Sequence, residues 1–159
     1  MSVTLLVSSL KTPIGTLNLL ADDQILIASN LSTISAFKAG RDVKSVTSIP
    51  VICDLINDYF DGNLDAINAI KVRQKGATFS QAAWRAMRKI TAGKALSYAE
   101  LADKAGSPSA VRAAGTACAT NAIMLVVPCH RVVKTGGALG NYAYGVDKKE
   151  WLLSHEGFL

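Results

Sequence analysis

A cysteine, a histidine and an arginine stand side by side at Cys129, His130 and Arg131, inside an apolar run that begins at Leu125 and resumes at Val132 and Val133. Polar and reactive groups among buried-type residues carry a desolvation cost, so a use for them is expected. A cysteine attacks as its thiolate, and therefore needs a neighbour that takes its proton or stabilises its charge. His130 and Arg131 supply both kinds of group. On an extended strand adjacent side chains point to opposite faces, so His130 serves Cys129 only across a bend or a bridging water. A histidine acting as base is usually oriented by a third group, and Glu156 is the candidate. Taken alone, Cys-His is a weak motif. A buried structural cysteine beside a helix-capping histidine is the commoner case.

The elements that must position these groups divide at about residue 75. Residues 3–8, 15–20 and 25–28 are rich in β-branched and aliphatic side chains, with turns at Thr12-Pro13-Ile14-Gly15 and Asp22-Asp23. This pattern predicts an antiparallel meander. Residues 51–60 carry Ile52, Leu55, Ile56 and Tyr59 at helical spacing, ended by Gly62. Cys53 on this helix reads as packing. Residues 61–76 read as a linker, which sets an N-terminal α/β domain at 1–74 and a mostly helical domain at 75–159.

The second half is marked by helix-start signals. Thr78 with Gln81, Ser97 with Glu100, and Asp147 with Glu150 are capping-box spacings. Ser107 followed by Pro108 suits an N-cap and first helical position. Two short helices around Gly106-Ser107-Pro108 form a helix-turn-helix candidate. On the second of them Val111, Ala114, Gly115 and Cys118 share one face, which should turn inward, while Arg112 projects elsewhere beside Ser109 and Thr116. Its many small residues allow either tight helix packing or close approach to a nucleic acid.

Charge bears on that choice. Residues 1–74 hold six basic and seven acidic side chains, whereas residues 75–159 hold eleven basic and five acidic. The net charge of +5 thus comes from the second half, which favours a polyanionic partner there. Cys53, Cys118 and Cys129 are odd in number and widely spaced, and neither His130 nor His155 lies at ligand spacing with them. Neither a disulfide framework nor a metal site is expected. The first residues, from Met1 and Ser2 onward, read as a strand rather than a leader, and no apolar run is long enough to span a membrane. A soluble, cytoplasmic protein is the expectation, or a nuclear one if the source is eukaryotic.

The whole string around Cys129 is more specific than its parts. Pro128-Cys129-His130-Arg131-Val132-Val133, with Asn121 before it and Gly140-Asn141-Tyr142, Lys149-Glu150-Trp151-Leu152-Leu153 and His155-Glu156-Gly157 after it, resembles the O6-alkylguanine-DNA alkyltransferases, also called methylated-DNA–protein-cysteine methyltransferases. The resemblance runs over residues 78–157 and includes Ser97-Tyr98-Ala99-Glu100-Leu101-Ala102 and Val111-Arg112-Ala113-Ala114-Gly115. Before that it is loose, through Thr12-Pro13-Ile14-Gly15 and Tyr59-Phe60-Asp61-Gly62.

The resemblance implies a ribonuclease-H-like α/β domain followed by a mostly α domain with a winged helix-turn-helix-like architecture. It implies that Cys129 accepts an alkyl group, chiefly methyl, from O6 of guanine in double-stranded DNA, once per molecule and without a cofactor. His130 then matches the base acting through a water, Glu156 the carboxylate orienting it, and Asn121 the tie between recognition helix and acceptor segment. Tyr98 matches the residue that helps rotate the nucleotide out and donates to the flipped base. Arg112 matches the finger that fills the gap in the stack, approached from the minor groove. Tyr142 and the backbone around Ala143 match a pocket wall and the O6 donor, and Ser109, Arg131, Val132 and Tyr144 complete the expected substrate and DNA contacts. A monomer is implied.

Two positions depart from the family pattern. Ala122 stands where proline is usual, and Tyr144 where small residues are usual, which restricts large adducts. Two other readings stay open on the residues alone. A Cys-His-Glu hydrolase would turn over repeatedly and has no need of Tyr98 or Arg112. A DNA-binding regulator explains the basic half but leaves Pro128-Cys129-His130-Arg131 without a purpose.

Overall fold

Three hairpin-connected strands open the chain in the computed structural model, which describes residues 3–159; Met1 and Ser2 lie outside the described residues. Strands β1 (Leu5–Thr12), β2 (Gly15–Asp22) and β3 (Ile25–Asn30) pair antiparallel as expected. The short helix α1 (Ser35–Lys38) leads to β4 (Val43–Ser45), which adds parallel to β1. Helix α2 (Ile52–Phe60) follows, burying Ile52, Cys53, Ile56 and Tyr59. Adjacent Leu19 and Leu20 are both fully buried, so both faces of central strand β2 are covered and simple alternation is lost. On one of them Val7, Leu20, Ala28 and Phe37 form a cluster.

The linker expected over residues 61–76 is instead partly structured. It holds a 3-10 turn at Ala66–Ala69 and strand β5 (Lys71–Val72), which pairs parallel with β3 to complete the order β4-β1-β2-β3-β5. Two-residue pairing is too short to leave a periodicity. The chain divides into two units, the first ending at Gln74 but taking back Ala122–Val126. That returning segment bridges Ile123 to Ser29 in parallel, and Ser29 Oγ donates to the Met124 carbonyl at 2.8 Å. Ala122 donates its N–H to Gln74 Oε1 at 2.9 Å, a bond that a proline there lacks the hydrogen to make.

The second unit holds α3 (Thr78–Arg88), β6 (Leu96–Ser97), α4 (Tyr98–Lys104), α5 (Val111–Ala119), β7 (Val132–Val133) and α6 (Val146–His155). Of the expected capping boxes, Ser97 with Glu100 forms in both directions at 3.0 Å. The other two do not. Thr78 is already helical after an extended Ala77, whose carbonyl takes the Gln81 N–H, and α6 starts behind Gly145, so Asp147 lies inside it. Ser107 likewise closes a separate turn, its carbonyl accepting from Ala110 N–H, and α5 begins only at Val111. The inward face of α5 is Ala114 and Ala117; Val111 is exposed and Cys118 half-buried, a shift from the expected stripe. Trp84 of α3 sets that face, its indole N–H reaching the Ala117 carbonyl at 2.9 Å.

Candidate active site

The segment that carries Cys129 is a turn, not a strand. The Pro128 carbonyl accepts from Arg131 N–H at 3.0 Å and closes a 3-10 turn over Cys129–Arg131. Only Val132–Val133 is extended, parallel to Leu96–Ser97. Three consecutive side chains therefore fan around a tight turn, with no alternation across a sheet. All three are buried: Cys129 is 8% exposed, Arg131 1% and His130 not at all.

Glu156 organises the buried charges. Its Oε2 lies 2.8 Å from His130 Nε2, while Arg131 donates from Nε to Oε1 at 2.8 Å and from Nη2 to Oε2 at 3.0 Å. Burial raises the acid's pKa, but the hydrogen bonds from His130 and Arg131 and the Arg131 charge outweigh it and bring it down to about 2. A carboxylate only accepts, so Nε2 of His130 carries the hydrogen. Burial, opposed by Glu156, holds the imidazole below its ordinary range and therefore neutral. The lone pair then sits on Nδ1, which is buried and has no hydrogen-bond partner among the described residues. The nitrogen left able to accept a proton is Nδ1. Glycine at position 93 is required beside this group: φ is +88°, and a Cβ would meet the Glu156 carbonyl at 3.0 Å.

Arg131 is the correction in this set. Its guanidinium is held by Glu156 and by the Ile90 carbonyl, reached by Nη1 at 2.6 Å, and at 1% exposure it presents no donor to DNA. Its planar fork matches the carboxylate, which explains an arginine at a fully desolvated position.

The thiol has its own neighbours. Asn121 donates through Nδ2 to the Val127 carbonyl at 2.8 Å and to Cys129 Sγ at 3.4 Å. Burial pushes the Cys129 pKa up, while the Asn121 amide and the Lys149 ammonium pull it back. Lys149 is fully buried on α6, its Nζ donating to the carbonyls of Val132 at 2.6 Å and Asn141 at 3.4 Å. Burial lowers its pKa, and the thiols of Cys118 and Cys129 oppose that. Sequence reasoning passed over Lys149 except as one letter of a matching string. A signal existed: Lys149, Leu152, Leu153 and Glu156 fall at i, i+3, i+4 and i+7, which puts two charged residues on the buried stripe of one helix.

Two tyrosines lie near enough to the same thiol to feel its charge. Tyr98 and Tyr144 are half-buried, and both hydroxyls are pushed up in pKa, Tyr98 by burial, Cys118 and Cys129, and Tyr144 by burial and Cys129. Tyr142 meets Tyr144 edge-on with centroids 5.8 Å apart. Gly140 closes in on Tyr98, since a Cβ on it would stand 3.0 Å from the Tyr98 hydroxyl. Ala143 is exposed, and Val132 is buried with its carbonyl held by Lys149. Arg112 and Ser109 are exposed, on the first turn of α5 and just before it, apart from the buried cluster. Among the described residues no three His, Cys, Asp or Glu side chains gather to hold a metal, and no helix is long and apolar enough to cross a membrane.

A buried thiol supported by an amide and an ammonium, next to a neutral histidine held by a carboxylate, can lose its proton and attack carbon. Comparison with known proteins agrees with that chemistry. Residues 78–158 match the family model for the DNA-binding domain of 6-O-methylguanine DNA methyltransferase. The methylated-DNA–protein-cysteine methyltransferase of Shigella flexneri is 36% identical, over 98% of this chain and 97% of its own. The crystal structure of Mycobacterium tuberculosis O6-methylguanine methyltransferase superposes with a TM-score of 0.83 at 31% identity, covering 96% of this chain and 93% of that one. That of Mycobacterium tuberculosis OGT in complex with DNA has the same score at 30% identity, covering 96% and 92%. By sequence along nearly its whole length and by fold, this chain belongs to the methylated-DNA–protein-cysteine methyltransferase family.

Proposed function

We propose that Cys129 is the acceptor in the direct repair of O6-alkylguanine in DNA, the activity that membership of the family carries. The observation that supports this role is the run of contacts from Asn121 to Cys129 Sγ and from His130 to Glu156, with the His130 lone pair directed to Nδ1. His130 takes the Cys129 proton through a water. The thiolate then attacks the alkyl carbon, the S–C bond forms as the C–O6 bond breaks, and the electron pair leaves on guanine, which regains the proton. Hydrogen-bond donors placed at O6 relieve the developing charge, a role we assign to the backbone around Ala143. The product thioether has no group here to hydrolyse it, so each molecule reacts once.

The base must leave the duplex to reach a buried thiol, at a cost of a few kcal/mol. We assign Tyr98 to turning and holding the nucleotide, Arg112 to the vacated stack, Ser109 to the DNA backbone, and Tyr142, Tyr144 and the Val132 backbone to the pocket wall. The small residues of α5 suit the minor groove. For the first unit we favour a ribonuclease-H-like domain, on the strength of a three-stranded meander with β4 parallel beside β1. For the second we favour a winged helix-turn-helix, on α4, α5 and the β6–β7 ladder. A boundary near residue 74, a monomer in solution and a cytoplasmic setting (nuclear in a eukaryote) belong to the same reading.

The test is stoichiometric. Incubation with a duplex containing one O6-methylguanine should add a single methyl, mapped by peptide mass spectrometry to Cys129. Repeated turnover would favour a hydrolase, and an unmodified Cys129 would rule the proposal out.

A further inference from the structure

The second unit carries a basic groove that the acceptor chemistry does not use. It has a volume of about 630 Å³ and is rimmed by Arg85 of α3, Lys89 at the C-terminal cap of that helix, Lys94 of the following loop and Lys104 at the end of α4. None of these four cations forms an ion pair among the described residues. The floor is apolar, with Ala86, Ile90 and Leu96, and Thr91 adds one hydroxyl. Among the described residues no carboxylate lines it. Glu100, one turn before Lys104, is engaged in capping Ser97.

The position of the groove matters as much as its charge. Ala82, Arg85, Ala86 and the C-terminal cap Lys89 share the groove face of α3, whereas Ala83, Trp84 and Met87 form its buried face. At about 100° per residue these two faces are roughly opposite. Trp84 on the buried face binds α5 through Ala117, so the groove opens on the side of α3 turned away from α5. A duplex lying along the exposed face of α5 has α5 and the buried face of α3 between it and the groove. The rim also lacks the fixed, convergent donors of a small-molecule pocket. Flexible lysines on three segments, acting as point charges, suit the spaced phosphates of a nucleic-acid backbone.

We propose that this groove binds the phosphate backbone of a second DNA segment, separate from the duplex that presents the lesion. The inference rests on DNA being the substrate, and its test keeps the two apart. Protein is first bound to a bead-immobilised lesion duplex, and capture of a free, unmodified fluorescent duplex is then measured. Wild type should capture it, and the variant Arg85→Gln/Lys89→Gln/Lys94→Gln should capture at least tenfold less. The salt slope of capture should fall by roughly 0.9 for each phosphate that the variant leaves unneutralised. Methyl transfer from the short lesion duplex, measured alongside, should match wild type in the variant and so certify its fold. Equal capture by variant and wild type, or none by wild type, overturns the proposal. Loss of capture on neutralising the exposed acids Asp54 and Asp58 of α2 shows the groove meeting a second copy of the chain, and overturns it too. Capture without any methyl transfer in wild type leaves the groove standing and removes the acceptor reading instead.

Discussion

Arg131 grips Glu156 by both carboxylate oxygens, with no exposed path to either partner: Arg131 is 1% and Glu156 4% exposed. Breaking one side of such a pair leaves a buried charge without compensation, at a cost of about 3–5 kcal/mol. Glu156→Gln and Arg131→Met should each lose about that much in urea denaturation. The double variant should lose clearly less than the sum, because neither orphan charge remains. Strict additivity would mean that the pair is not the unit described here.

The same carboxylate gives a pH signature. A folded-state pKa held near 2 contributes stability that is complete above the ordinary glutamate range, about 4.3, and is lost as pH falls toward 2. His130 acts in the same direction: its lowered pKa favours the fold above about pH 6.5 and less below it. Melting temperature should therefore drop from pH 7 to pH 3. In Glu156→Gln the limb below pH 4.3 should flatten, and a wild-type profile that is level across this window would contradict the assignment.

Asn121 donates directly to the Cys129 sulfur. A hydrogen bond to a charged group contributes about 1.5–3 kcal/mol, so Asn121→Ala should slow methyl transfer roughly 10- to 100-fold. The pH curve for Cys129 labelling by iodoacetamide should move upward. Asn121→Asp should be slower still, since a carboxylate repels the thiolate. Unchanged labelling in both variants would remove Asn121 from the chemistry.

Lys149 should tune the same curve from the other side. Lys149→Met keeps the length of the side chain but loses the charge and the donor to the Val132 carbonyl. Cys129 labelling should again shift to higher pH, while circular dichroism shows a folded protein. A shift in stability with no shift in the labelling curve would make Lys149 purely structural.

The role we assign to Tyr144 is to limit the size of the alkyl group. With its ring half-buried and edge-on to Tyr142, wild type should take methyl much faster than benzyl. Tyr144→Gly should recover benzyl transfer with little change toward methyl. Equal wild-type rates on both lesions, or no recovery in the variant, would exclude this role.

The sequence by itself singled out Cys129, His130 and Glu156 as the set to which we assign the chemistry, because residue type limits which groups can attack, take a proton or hold a ring. It also determined the meander, α2 and the Ser97–Glu100 cap, since these follow from local spacing and local bonds. Tertiary structure decided what those groups do together. The bend at Cys129 comes from a turn that hydrophobic patterning does not register, and Arg131 faces inward because Glu156, 25 residues away, is there to meet it. The tautomer of His130 follows from that same distant carboxylate. Lys149 sits on a buried helical stripe that the sequence displays, yet its purpose appears only when the Val132 carbonyl and the thiol are brought to it. Hydrogen bonds and desolvation act between residues far apart in the chain, and spacing along the sequence carries no record of them.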